Sequence, residues 1–101
     1  MSTYRPLPPQ LTIKQSGIEG LGLFAVMDIS SNTDLGLTHI LDITQENGFI
    51  RTPLGGFINH SETPNLQILK QLSGNYHIGT LVDIKVGDEL TLKYNLYTPK
   101  I

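Results

Sequence analysis

The sequence predicts a single, mostly-β domain built of short strands. Three observations carry that expectation. No window of a dozen residues repeats its apolar positions at the 3.6-residue period of a helix, whereas many short runs alternate or cluster apolar and β-branched side chains. Ten glycines and six prolines punctuate those runs. The chain has 101 residues, 39% hydrophobic and 16% charged, which is enough for one core and too little for two.

The elements follow in chain order. The first ten residues, MSTYRPLPPQ, hold Pro6, Pro8 and Pro9 and read as an extended arm against the body. In LTIKQS, Leu11 and Ile13 alternate with polar neighbours, as in a half-buried strand. GLFAVMDI is apolar and ends at the turn cluster SSNTD. LGLTHILDI has the β-branched density of a strand. Pro53 and two glycines divide GFIRTPLGGFI into strand, turn and strand. LQILKQL reads as a strand or as one short helical piece. SGN, residues 73–75, is a tight hairpin turn, and YHIGTLVDI is the return strand. KVGD is another turn, after which Leu90, Leu92 and Tyr94 alternate in ELTLKYNLY. Residues 95–101 form a short tail. With no repeat and no linker, residues 1–101 read as one domain.

Composition excludes several function classes. A net charge of −2 gives no basic surface, so direct nucleic-acid binding is not expected. Without cysteine there is neither a disulfide nor a cysteine-ligated zinc, and His39, His60 and His77 are a weak basis for any metal site. No apolar run approaches the roughly 20 residues of a membrane span. The first residues lack the apolar stretch of a signal peptide, so a cytoplasmic location is expected. Asn59-His60-Ser61 fits the glycosylation pattern N-x-S, which without secretion is expected to be a chance match.

Three segments are candidates for chemistry. In GIEGLGLFA, Gly20, Gly22 and Ala25 fit the loose dinucleotide pattern G-x-G-x-x-A, with Asp42 about 20 residues on. The context fails, because the turn cluster from Asp28 to Asp34 leaves no room for the helix that this pattern opens. What stays open is a tight turn between strands, or a backbone that two glycines let a ligand approach. In GGFINHSETPN, side-chain amides and hydroxyls ordinarily satisfy their own turn, yet their density here is unusual. In DIKVGDELTLKY, taken alone, residues 85–88 are a hairpin turn, Glu89 a solvated edge charge and Tyr94 a core residue.

Together and in this order, the three segments resemble those of the SET-domain protein lysine methyltransferases. Gly20-Leu21-Gly22-Leu23-Phe24-Ala25 stands for the G-x-G loop and its apolar-Phe-Ala step. Residues 59–65 give N-H-S-x-x-P-N complete, and residues 83–94 give D-I-x-x-G-[DE]-E-L-T-x-x-Y complete. SGIEGLGLFA and TPLGGFINHSETPN look most like the compact bacterial and phage members. A phage-encoded chain would work in the host cytoplasm.

The resemblance implies a β-clip-like SET fold of several small sheets with a C-terminal pseudoknot, in which the segment ending at Tyr94 passes beside the N-H-S loop. It implies S-adenosylmethionine as cofactor, bound by Gly20, Leu21, Gly22, Leu23, Asn59, His60 and Tyr94. The Asn59 amide would face the methionine end, and the His60 backbone the adenine. Tyr94 is the implied catalytic residue, and the implied partner is a protein substrate bearing a lysine. Phe57, Tyr76 and Tyr97 are candidates for the lysine channel. The cysteine-rich flank that closes this channel in many members has no counterpart here. Tyr97 to Ile101, the Pro-rich arm or a second copy of the chain in a homodimer would have to replace it. Two functions are therefore open. Asn59, His60 and Tyr94 together favour an enzyme, while the minimal channel favours a catalytically weak SET-fold module that binds a cofactor or a protein partner.

Overall fold

The computed structural model of the chain describes residues 7–93. These residues run through β1 (Leu11–Gln15), β2 (Leu21–Ala25), β3 (Asp34–Leu41), β4 (Phe49–Arg51), α1 (Pro53–Gly56), β5 (Asn59–His60), β6 (Leu66–Lys70), β7 (Tyr76–Thr80) and β8 (Glu89–Leu92). They form two four-stranded sheets, ordered β1-β2-β8-β5 and β4-β3-β7-β6. The mostly-β expectation holds, and LQILKQL resolves as a strand. Among the described residues no helix is long and apolar enough to cross a membrane.

The first sheet positions the site. β1 and β2 form an antiparallel hairpin with Leu11 opposite Ala25 and Gln15 opposite Leu21. β8 adds to β2 through Leu23–Leu90 and Phe24–Glu89. The two-residue β5 then lies parallel to β8, with Asn59 opposite Thr91 and His60 opposite Leu92. Two strands of the second sheet, β6 and β7, lie between β5 and β8 in sequence. A parallel pair needs such a crossover, since no tight turn can join two strands that run the same way.

The sheets share one core. Leu23, Leu66, Ile78, Ile84, Leu90 and Leu92 have at most 1% of their surface exposed, and Leu11, Ala25, Ile29, Leu35, Leu54 and Ile58 complete the cluster. Burying a leucine or isoleucine side chain contributes about 1.5–3 kcal/mol, so these positions dominate stability. Ile29 and Ile84 exchange backbone hydrogen bonds of 2.8 and 2.7 Å and tie the segments that leave β2 and enter β8. Leu7 packs on the core, and Pro8 O accepts from Leu11 N at 3.1 Å, so this end of the arm lies against the body.

One element departs from expectation. TPLGG is a single helical turn and not a plain turn between strands. Thr52 is its N-cap, accepting from Gly55 N, and Pro53 occupies the first turn, where its missing N–H is no loss. The Thr52 hydroxyl also donates to Leu37 O at 2.7 Å, pinning the turn to β3. A Cβ on Gly55 would stand 2.8 Å from Thr38 O, so a glycine lets the turn pack this closely.

Candidate functional site

The three sequence segments meet at one side chain. Asn59 Nδ2 lies 3.1 Å from Ser16 Oγ, 3.1 Å from Glu19 O, 3.3 Å from Leu21 O and 2.9 Å from Glu89 Oε2. Ser16, just ahead of the first segment, thus supplies a hydroxyl, the first segment two carbonyls, the second the amide, and the third a carboxylate. Two amide hydrogens are shared among four oxygen acceptors, which requires three-centre bonds. Two carbonyls and a carboxylate can only accept, so this environment fixes which end of the amide is nitrogen. Oδ1 is left as the acceptor end.

The glycine loop is shaped by the same contacts. Ser16 Oγ accepts from Ile18 N at 2.8 Å and Glu19 N at 3.4 Å, and Ser16 N donates to Gly20 O at 2.7 Å. Gly20 sits at φ 45°, in the left-handed region where glycine carries no Cβ penalty. Nothing lies within 4 Å of where a Cβ on Gly17 or Gly20 would stand, so this backbone borders open space. Gly22 is glycine for a different reason. A Cβ there would collide with Glu89 Oε2. Glu89 is therefore no solvated edge charge. Its carboxylate is half-buried over Gly22 and accepts from Ser16 Oγ at 2.8 and 2.9 Å.

The second segment is split between two tasks. Asn65 clamps β8: its Nδ2 donates to Glu89 O at 2.9 Å and its Oδ1 accepts from Thr91 N at 2.8 Å. The side chain thereby satisfies two backbone groups of a central strand as a neighbouring strand would. Ser61 N donates to Leu92 O at 3.1 Å, and Ser61 Oγ accepts from Thr63 N at 3.0 Å. His60 Nε2 pairs with Glu62 Oε2 at 2.8 Å, and Glu62 Oε1 reaches Lys93 Nζ at 3.4 Å. These hydrogen bonds, from His60 first and Lys93 second, hold the Glu62 carboxyl below its usual range.

The remaining sequence candidates fall in different places. Leu21 is 51% exposed beside the glycine loop, whereas Leu23 is fully buried in the core with β1 and β8 on its two sides. Phe57 is half-buried at the C-terminal end of α1, next to Ile58 of the core. Tyr76 belongs to the second sheet. Its ring centroid is 4.7 Å from Phe49 and 5.7 Å from His39, a cluster separate from the Asn59 contacts. Burial first, and then the nearby Arg51 charge, lower the pKa of His39 below 6.5. Tyr94, Tyr97 and the tail lie outside the described residues. Sequence reasoning missed Ser16 and misjudged Glu89. The available signals were Ser16-Gly17 ahead of the loop and the place of Glu89 inside the third motif.

Comparison with known proteins agrees with this fold. The family model described as the SET domain matches residues 37–95, a stretch holding the second and third segments and Tyr94. Among solved structures, a crystal structure of a candidate histone methyltransferase from Plasmodium falciparum is similar, with a TM-score of 0.66 and 23% identity over 87% of this chain and 95% of that one. At that identity the likeness concerns the fold. No curated protein matches the chain.

Proposed function

The chain belongs to the SET-domain family, whose chemistry is methyl transfer, and on that premise we propose that it methylates a lysine side-chain amine of a protein substrate, with S-adenosylmethionine as donor. The observation that carries this reading is the Asn59 amide, whose nitrogen is held by four oxygens of the glycine loop, Ser16 and Glu89. Its Oδ1 is thereby presented as an acceptor, which suits the ammonium at the methionine end of the cofactor.

The residues fit such a cofactor. Open space borders Gly17 and Gly20, so a ligand can lie against that backbone. The backbone of Asn59–His60 forms the edge of the first sheet, beyond β8, and the adenine is proposed to lie along it. When bound, S-adenosylmethionine supplies a methyl group on a positively charged sulfur.

Everything else falls to the chain. A lysine amine of ordinary pKa about 10.4 is neutral in roughly one molecule in 2,500 at pH 7, a deficit of about 4.6 kcal/mol. A narrow apolar channel lowers that deficit by desolvating the charged form. Phe57 and Tyr97 are the proposed walls, and Tyr76 would join them only by extending from its cluster with His39 and Phe49. Tyr94, at the end of the third motif, would orient the amine and the methyl group with its hydroxyl. Positioning and electrostatics then account for the rate, with no covalent intermediate.

The test uses methyl-labelled S-adenosylmethionine, a cell extract as substrate source, and mass spectrometry of the labelled lysines. Labelled lysine with the native chain, and turnover about 10²-fold lower with Tyr94→Phe at nearly unchanged cofactor affinity, is the expected result. Equal turnover in Tyr94→Phe would remove the tyrosine from the mechanism. Cofactor binding with no labelled lysine would favour a binding module.

A further inference from the structure

Ser16 and Glu89 are not among the residues that the family motifs assign to the cofactor, yet they hold the ones that are. Ser16 Oγ bonds both oxygens of Glu89, closes the turn toward Gly20 through Ile18 N, and accepts from Asn59 Nδ2. Glu89 Oε2 takes the same amide at 2.9 Å. Among the described residues, the ion pairs are His60–Glu62, His77–Asp34 and Lys93–Glu62, so no cation pairs with Glu89.

That arrangement is costly unless it has a use. A half-buried carboxylate loses hydration, and a bond to a hydroxyl returns only part of it. A fastening of β2 to β8 alone could be made by neutral or apolar groups, as Leu23 and Leu90 already do. What the charge adds is strength toward a donor, since hydrogen bonds to a charged acceptor are about twice as strong as neutral ones. The donors here are Ser16 and Asn59. The sequence also yields to this contact, because Gly22 must lack a side chain for the carboxylate to lie where it does.

We propose that Ser16 and Glu89 are positioning residues for methyl transfer, which lock the Asn59 amide with Oδ1 toward the methionine end of the cofactor and set the glycine loop against it before the cofactor arrives. The proposal rests on the cofactor reading above. Without the pair, Asn59 can rotate and the loop from Gly17 to Leu21 loses its anchor, so binding must order both. Neither residue touches the cofactor in this account.

The test uses Ser16→Ala, Glu89→Gln and Ser16→Thr, with two measurements on each. In the first, 1H–15N spectra of the cofactor-free protein follow hydrogen exchange of the Asn59 side-chain amide. In the second, calorimetry follows binding of S-adenosylmethionine. Thermal unfolding shows that each variant is folded. Ser16→Ala and Glu89→Gln are expected to speed exchange at Asn59 and to weaken binding about tenfold or more, the scale of one lost hydrogen bond to a charged group. Ser16→Thr keeps the hydroxyl and is expected to bind within about threefold of the native chain, a rescue that mere packing would not produce. Native-like affinity in both deletion variants, or unchanged exchange at Asn59, overturns the proposal. A native chain that does not bind S-adenosylmethionine at all overturns the cofactor reading instead, and the two failures are told apart by that control.

Discussion

Asn59 and Asn65 open and close one motif, and their environments assign them opposite work. Asn59 is surrounded by acceptors from the glycine loop and from Glu89 of the third segment, while Asn65 spans two backbone groups of β8. Their alanine variants should therefore differ in kind. Asn59→Ala should weaken S-adenosylmethionine binding by roughly 10- to 150-fold with the fold retained. Asn65→Ala leaves Glu89 O and Thr91 N without these partners and should lower stability by about 1–3 kcal/mol per unsatisfied group. Calorimetric titration and urea unfolding of both variants separate the two signatures, and a matching pair of profiles would refute the division. His39 supplies a pH dependence. Its folded pKa lies below 6.5, so the unfolded chain takes up the proton first as pH falls. The stability that neutral His39 contributes is complete above about pH 6.5 and is lost progressively as pH drops toward its lowered folded value. Unfolding midpoints across that window should fall more steeply in the native chain than in His39→Gln.

At the scale of elements, β8 is the piece on which the rest depends. It lies between β2 and β5, carries the fully buried Leu90 and nearly buried Leu92, and receives the Asn65 clamp. Removing residues 90–101 should therefore leave the chain unfolded, with lost near-ultraviolet dichroism and no cooperative transition. A truncated chain that stays folded and binds its cofactor would contradict the role assigned to β8. Alternation made the strands legible in the sequence, because a half-buried strand writes its two faces into every second residue, as at Leu11 and Ile13. The α1 turn was not legible as a helix. Four residues are too few to show a 3.6-residue period, and Pro53 with two glycines reads as a break until Thr52 is recognised as a cap. Glu89 was misjudged for a related reason. A glutamate directly after a turn looks solvated in one dimension, and only pairing of β8 with β2 brings it over Gly22 and against Asn59.

Across the whole molecule, the fold acts by bringing distant segments together. Ser16, Asn59 and Glu89 are separated by 43, 30 and 73 positions in their three pairings, yet their side chains form one hydrogen-bonded group. The crossover through the second sheet makes this possible, since it returns β8 alongside β5. The motifs disclosed which segments matter, while the division of labour within them needed coordinates. Leu21, at the first position of β2, borders the loop, while Leu23, two residues on and on the same face of the strand, is core, a difference set by position along the strand and invisible in the motif itself. The central claim is that S-adenosylmethionine lies between the glycine loop and the Asn59–His60 edge. A 1H–15N NMR titration of the native chain with this cofactor tests it most directly. The account predicts saturable shifts concentrated in the amides of residues 17–22 and 59–61. Shifts confined to the β6–β7 hairpin, or none at saturating cofactor, would contradict it.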